Sequence, residues 1–173
     1  KVVEAIRSLP PHAYATYPEY AGLNEAYASA INVPEQHVAA FNGVDAAIHA
    51  VFDVYGQPGS TFLTTAPTFG YYKPCAVQHG MLQDEVLYLP DLSFPFETIR
   101  ARLSDRPRLF FVCNPNNPTG TLLEPRLLLD LARATPDTLV VVDELYLAFT
   151  RKSVLPAALE LTNVVVLQSL SKA

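Results

Sequence analysis

The chain has 173 residues, half of them hydrophobic, and carries 12 Lys and Arg against 17 Asp and Glu for a net charge of -5. There is ample apolar material for a sizeable core, which excludes a disordered chain, and the acidic balance with scattered basic residues argues against a nucleic-acid binder. Charged residues make up only 17%, against about 25% in an average soluble domain, so part of the surface is expected to be covered by something outside the chain.

The opening Lys1-Val2-Val3-Glu4-Ala5-Ile6-Arg7 reads as an amphipathic helical turn already under way, without an initiator Met, as if cut at its front. A helix is predicted from Leu23 to about Ile31, where Leu23, Ala26, Tyr27, Ala30 and Ile31 keep i, i+3, i+4 spacing. After Pro34 the short apolar run His37 to Phe41 reads as a strand. Asn42-Gly43-Val44-Asp45 then opens a second helix with Ile48, Val51, Phe52 and Tyr55 on one face, stopped at Gly56-Gln57-Pro58-Gly59. Runs of strand length follow: Thr61 to Thr65, Val86 to Leu89, Leu109 to Cys113, Leu139 to Val142 and Val164 to Leu167, with a leucine-rich helix from Glu124 to Ala134 between the third and fourth. Leu139-Val140-Val141-Val142 does not alternate with polar residues, so both its faces are expected to be buried. Such strands separated by helices predict an α/β fold, a mostly parallel sheet with helices on both faces. No apolar run approaches the ~18 residues of a membrane span. Cys75 and Cys113 lie far apart with no metal-like spacing, which suits a reducing, cytoplasmic setting.

Ligands of open parallel sheets collect at the carboxyl ends of the strands, and the unusual residues of this chain fall there. The run ending at Cys113 continues into Asn114-Pro115-Asn116-Asn117-Pro118-Thr119-Gly120, that ending at Val142 into Asp143-Glu144-Leu145-Tyr146, and that ending at Leu167 into Gln168-Ser169-Leu170-Ser171-Lys172. Singly each is weak. An Asp after a buried strand caps a helix or serves a metal or phosphate site. Asn-Pro-Asn-Asn-Pro makes a rigid turn, and a lone Lys is ordinarily a surface residue.

In this order and spacing, together with Tyr17-Pro18-Glu19, Asn42-Gly43-Val44-Asp45 and Pro67-Thr68-Phe69-Gly70-Tyr71-Tyr72, the chain resembles the fold type I pyridoxal-phosphate enzymes. Within that aspartate aminotransferase superfamily it is most similar to the histidinol-phosphate aminotransferase branch. The resemblance implies the large cofactor-binding domain of such an enzyme, cut shortly after the Schiff-base lysine and before the C-terminal small domain. Residues 1–18 would be an N-terminal segment at a domain or dimer interface, and residues 19–173 the front part of the large domain. It also implies pyridoxal 5'-phosphate as cofactor, Lys172 as the Schiff-base lysine and proton-transferring base, and Asp143 as partner of the ring nitrogen. Asn117 and Tyr146 would bond the ring's phenolic oxygen, and Phe69 would stack on its face, unless it is an ordinary core Phe. Gly43, Val44 and Asp45 at the start of the second helix, with the Ser169 and Ser171 hydroxyls, would hold the phosphate, and Asp45 could cap the helix as well. Tyr17 would reach the cofactor of a partner subunit in a homodimer, its alternative being a turn aromatic before Pro18.

The implied reaction moves an amino group between an amino acid or amino-alcohol phosphate of the histidinol-phosphate kind and a 2-oxo acid. A decarboxylase or lyase like threonine-phosphate decarboxylase, or a non-catalytic fragment, remain alternatives. Against the family pattern, Ala46 stands where Glu is common, Leu145 where a small residue is usual and Gln168 where Arg is frequent. The arginines expected beyond the lysine and in the small domain fall outside this chain.

Overall fold

The computed structural model describes residues 1–172; Ala173, the last residue of the Ser-Leu-Ser-Lys-Ala stretch, lies outside the described residues. By contact density the chain divides into Lys1–Ala40 and the remainder from Phe41 onward. The first unit holds helices α1 (Val2–Arg7) and α2 (Ala21–Ile31) and two short 3-10 turns, Pro11–Tyr14 and Glu35–His37. The expected strand over His37 to Phe41 is absent: Glu35 to His37 turn instead, after Pro34 at φ -60°, and the following residues are extended without a ladder partner. Helix α2 matches its prediction, yet only Ala28 is buried in it, and Leu23 of the expected apolar face is 49% exposed.

The second unit runs α3 (Gly43–Tyr55), β1 (Thr61–Ala66), α4 (Tyr72–Gln78), β2 (Leu82–Leu87), α5 (Phe96–Leu103), β3 (Leu109–Cys113), α6 (Pro125–Ala134), β4 (Leu139–Asp143), α7 (Leu147–Thr150) and β5 (Val164–Leu167). All five strands are parallel, in the order β2-β1-β3-β4-β5. Every residue of β3 and β4 is buried, as expected of strands covered on both faces.

Alternation along the strands sorts the core into two layers. One face sends Leu63, Phe110, Val112, Val140 and Val142 against Ile99 and Leu103 of α5 and Leu128, Leu131 and Ala132 of α6. The other sends Phe62, Leu109, Phe111, Val141 and Leu167 against Ile48, Val51 and Phe52 of α3 and Tyr72, Cys75 and Ala76 of α4. Tyr55, at the end of α3, is exposed, and its carbonyl accepts from Arg108 Nε at 2.9 Å. The second strand lies earlier than the apolar run Val86 to Leu89 suggests. It pairs with β1 from Thr61↔Leu82 to Ala66↔Leu87 and, as an edge strand, buries only Val86.

Pairing between β1 and β3 is short, limited to Phe62↔Leu109 and Leu63↔Phe110. Beyond it the Thr64 hydroxyl donates to the Phe111 carbonyl at 3.0 Å, so a side chain replaces the ladder as the strands approach their carboxyl ends. Strand order reverses at this junction, where open α/β sheets form their binding crevice.

Candidate active site

Helix α3 begins at Gly43, whose φ of +82° sets the sharp entry from Asn42; its N–H is taken by the Phe41 carbonyl at 2.8 Å. That conformation favours glycine. The next N–H groups, beginning with Val44 and Asp45, have no intrahelical acceptor, as at every helix start. They border a cavity of about 290 Å³ that also takes in Phe69, Tyr146, Ser171 and Lys172. Seven residues expected from the sequence thus share one space, joined by Asn42 and Leu145, for which no role was expected. Asp45 sits in the first turn of α3, where its charge suits the helix dipole; Asn42, not Asp45, holds the N-cap position.

The loop after β3 divides its labour. Asn114 is buried and clasps the backbone of Leu123 from both ends of its amide, donating to the carbonyl at 2.9 Å and accepting from the N–H at 2.8 Å. Asn116 donates to the Pro67 carbonyl at 3.0 Å and accepts from the Thr68 hydroxyl at 2.8 Å. Asn117 is outside the cavity lining but donates from Nδ2 at 3.0 Å to the hydroxyl of Tyr146, which is in it. Two side chains from neighbouring strand ends therefore meet where they can hold one oxygen.

Asp143 ends β4 and is 0% exposed. Its Oδ1 accepts from the Leu145 N–H at 3.0 Å and its Oδ2 from the Tyr72 hydroxyl at 2.6 Å. Burial pushes its carboxyl above the usual carboxylate range; the Tyr72 and Leu145 donors oppose this, and the charge of Asp45 adds to it. Glu144, also buried, accepts from the Ser153 hydroxyl at 2.7 Å, the Val154 N–H at 2.7 Å and Gln168 Nε2 at 2.8 Å. Burial raises its carboxyl as well, against those three donors. Gln168, at the position where Arg is frequent, thus ties β5 to the end of β4 just ahead of Ser169.

Ser171 donates its N–H to Ser169 Oγ at 3.1 Å, and the two hydroxyls lie 2.9 Å apart. Ser169 is half-buried beside the cavity lining, not in it. Of the chain's lysines, Lys73 pairs with Glu85 at 3.4 Å and Lys152 with Glu124, whereas Lys172 lines the cavity. Tyr17 belongs to the first unit and is 98% exposed. The cavity offers a helix N-terminus for an anion and an amine for a carbonyl; the expected Asp143 and Asn117 are not in its lining but bond to two residues that are, Leu145 and Tyr146.

A family profile for aminotransferase class I and II matches residues 1–173. The chain belongs to that family. Among curated relatives of this class I and II aminotransferase chain, the histidinol-phosphate aminotransferase of Neisseria gonorrhoeae is 36% identical over 96% of the chain and 46% of the relative. That of Ruminiclostridium cellulolyticum is 31% identical over 87% of the chain and 43% of the relative. The chain therefore spans less than half the length of these relatives. Among solved structures, histidinol-phosphate aminotransferase from Sinorhizobium meliloti in complex with pyridoxal-5'-phosphate superposes with a TM-score of 0.88 at 23% identity, covering 99% of this chain and 48% of that one, a likeness of fold. L-threonine-O-3-phosphate decarboxylase from Porphyromonas gingivalis gives 0.73 at 27% identity over 89% of this chain and 45% of that one.

Proposed function

We propose that this chain carries the cofactor-binding part of a pyridoxal-phosphate-dependent aminotransferase acting on an amino acid or amino-alcohol phosphate of the histidinol-phosphate kind and a 2-oxo acid. The observation that carries the reading is the gathering of Lys172, Tyr146, Phe69 and the α3 N-terminus around one cavity, with Asn117 bonded to Tyr146. The donor set fits the cofactor. Val44 and Asp45 N–H groups with the Ser171 and Ser169 hydroxyls suit its phosphate, Asp143 its ring nitrogen, Asn117 and Tyr146 its phenolic oxygen, and Phe69 its ring face. Once bound, pyridoxal phosphate supplies an electron sink for the substrate's α-carbon. Lys172 would hold the cofactor through its amine and, once a substrate amine has displaced it, would take and return the proton at the substrate's α-carbon. Asp143 keeps a proton on the ring nitrogen by placing a negative charge beside it.

Residues 19–173 form the front of the large domain and residues 1–18 a segment at a domain or subunit interface. Tyr17, almost fully exposed, extends to the cofactor phosphate of a second copy in a homodimer, and the protein works in the cytoplasm. Among the described residues no helix is long and apolar enough to cross a membrane. Transfer is favoured over decarboxylation because curated histidinol-phosphate aminotransferases match the chain at 31% to 36% identity.

The test is to bind pyridoxal phosphate to the full-length protein, reduce with borohydride and map the adduct by mass spectrometry. The expected tag is on Lys172, and one on Lys1, Lys73 or Lys152 instead would overturn the site. Histidinol phosphate with 2-oxoglutarate should yield glutamate. Carbon dioxide released from a phosphorylated amino acid would favour the decarboxylase reading.

A further inference from the structure

We propose that Tyr72 is a positioning residue that acts through Asp143, fixing the carboxylate's orientation and keeping its negative charge available to a cationic ring nitrogen in the site. The proposal rests on the cofactor reading above and extends it to a residue for which no role was expected.

The contact joins residues 71 positions apart, a short charge-assisted bond of 2.6 Å between two side chains that are 1% and 0% exposed. A buried phenol must find a partner, and an ionised carboxylate is acceptor only, so the hydroxyl's single proton points at Asp143. With one donor on each oxygen, from Tyr72 and from the Leu145 N–H, the carboxylate cannot turn, yet each oxygen keeps lone-pair capacity for a further cation.

Tyr72 is itself held. Its ring lies on Phe111 with centroids 5.0 Å apart and meets Phe69 edge-on at 5.5 Å and 76°. One side chain therefore supports both the expected ring-nitrogen partner and the expected stacking residue.

The charged and titratable groups around Asp143 make this donor matter. Asp45 on α3 opposes its ionisation, and the charge of Asp143 in turn raises the adjoining Glu144. Cys113 at the end of β3 is pushed up to about 12 by burial and stays a neutral thiol. Burial and the neighbouring Asp143 also hold the Tyr72 phenol well above its ordinary value, so it remains a donor throughout the working range. Lys172 lines the adjoining cavity. A carboxylate that already accepts a strong hydrogen bond is a weaker base, so a proton shared with a ring nitrogen rests on the nitrogen. Removing the Tyr72 hydroxyl makes Asp143 more basic and lets it draw that proton away.

The experiment uses the full-length protein as wild type, Tyr72→Phe, Asp143→Asn and the double variant. Tyr72→Phe keeps the ring against Phe69 and Phe111 and deletes only the hydroxyl. Two quantities are read: the dissociation constant of pyridoxal phosphate from the apoprotein, and the ¹⁵N shift of its labelled ring nitrogen when bound. Tyr72→Phe should weaken cofactor binding about tenfold or more and move the shift toward the unprotonated value. In the Asp143→Asn background the same change should have little further effect on binding. Unchanged affinity and shift in Tyr72→Phe, or an equal weakening in both backgrounds, would overturn the proposal; the latter marks a packing role only. Should Tyr72→Phe not fold, 3-fluorotyrosine at position 72 provides a stronger donor of nearly the same shape. It should move the shift further toward the protonated value, and an unchanged shift overturns the idea equally. A wild-type protein that fails to bind the cofactor at Lys172 is a different result, which sinks the functional reading and this proposal with it.

Discussion

Replacing Asn114 by Ala separates the scaffold of the Asn-Pro-Asn-Asn-Pro loop from its chemistry. The Asn114 amide is 1% exposed and serves both backbone groups of Leu123, itself 9% exposed, at 2.8 and 2.9 Å. Truncation leaves a buried N–H and a buried carbonyl without partners, each costing about 1–3 kcal/mol. The expected loss is therefore about 2–6 kcal/mol, a large part of the roughly 5–15 kcal/mol that holds a typical domain together. Urea unfolding of the full-length apoprotein should show a lower midpoint at unchanged slope. Asn117→Ala is the matched control: half-buried and bonded to Tyr146, it should change stability by less than about 1 kcal/mol while weakening retention of the cofactor. A loss below about 1 kcal/mol in Asn114→Ala, or a larger loss in Asn117→Ala, would refute the division of labour within the loop.

Phe111→Ala removes a fully buried ring that stacks on Phe52 at 5.0 Å and meets Phe62 edge-on at 5.7 Å. A cost of about 3–5 kcal/mol is expected by chemical unfolding, and a loss near zero would mean that the second layer of the core repacks around the gap. His79 has Nδ1 at 2.8 Å from the Cys75 carbonyl and Nε2 at 2.9 Å from Asp53. The Cys75 carbonyl first, and Asp53 after it, raise its pKa against partial burial. The gain is present below the unfolded imidazole value of about 6.5 and lost as pH rises through the folded one. Asp53→Asn should then cost a few tenths of a kcal/mol at pH near 5.5 and less at pH 8.5; equal costs would refute the pairing. Burial raises the Asp143 carboxyl in the cofactor-free fold, so protonation there costs less than in the unfolded chain. That contribution is present below about 3.9 and lost as pH rises through the folded value, so apo Asp143→Asn should gain stability on wild type between pH 4 and 8. A difference that does not change with pH would count against it.

The central strands were legible because their environment leaves one pattern. Leu109–Cys113 coincides with its predicted limits and β4 extends its prediction only by Asp143, while β5, at the sheet edge, was legible from its unbroken apolar run Val164–Leu167. Edge strand β2 overlaps its predicted run only at Val86 and Leu87, because Gln83-Asp84-Glu85 is polar and carries no apolar signal for the strand's first half. Helices α4 and α5 gave no pattern of their own, being two turns each and, in α5, carrying Glu97, Arg100 and Arg102. In the candidate site, Tyr146, Ser171 and Lys172, which follow strand ends, share one cavity, a grouping their order and spacing in the sequence suggest. Leu145 and Asn42 were not legible, since they enter the cavity lining beside motif residues without chemistry to announce them. Tyr72 was hidden for a different reason: its partner is 71 positions away, and only the strand order brings α4 to the end of β4.

That same strand order has a mechanical consequence. Where the sheet reverses between β1 and β3, the ladder stops early, and a gap of this kind would ordinarily let the two halves breathe. Here Asn116 reaches across from the β3 loop to Pro67 and Thr68 beyond β1, two residues ahead of Phe69 and one ahead of Asn117 on its own side. The amide is a rivet through the seam. It couples the segment leading to Phe69 to the loop that carries Asn117, so the two residues proposed for the face and the rim of the cofactor ring are held in one piece before any ligand arrives.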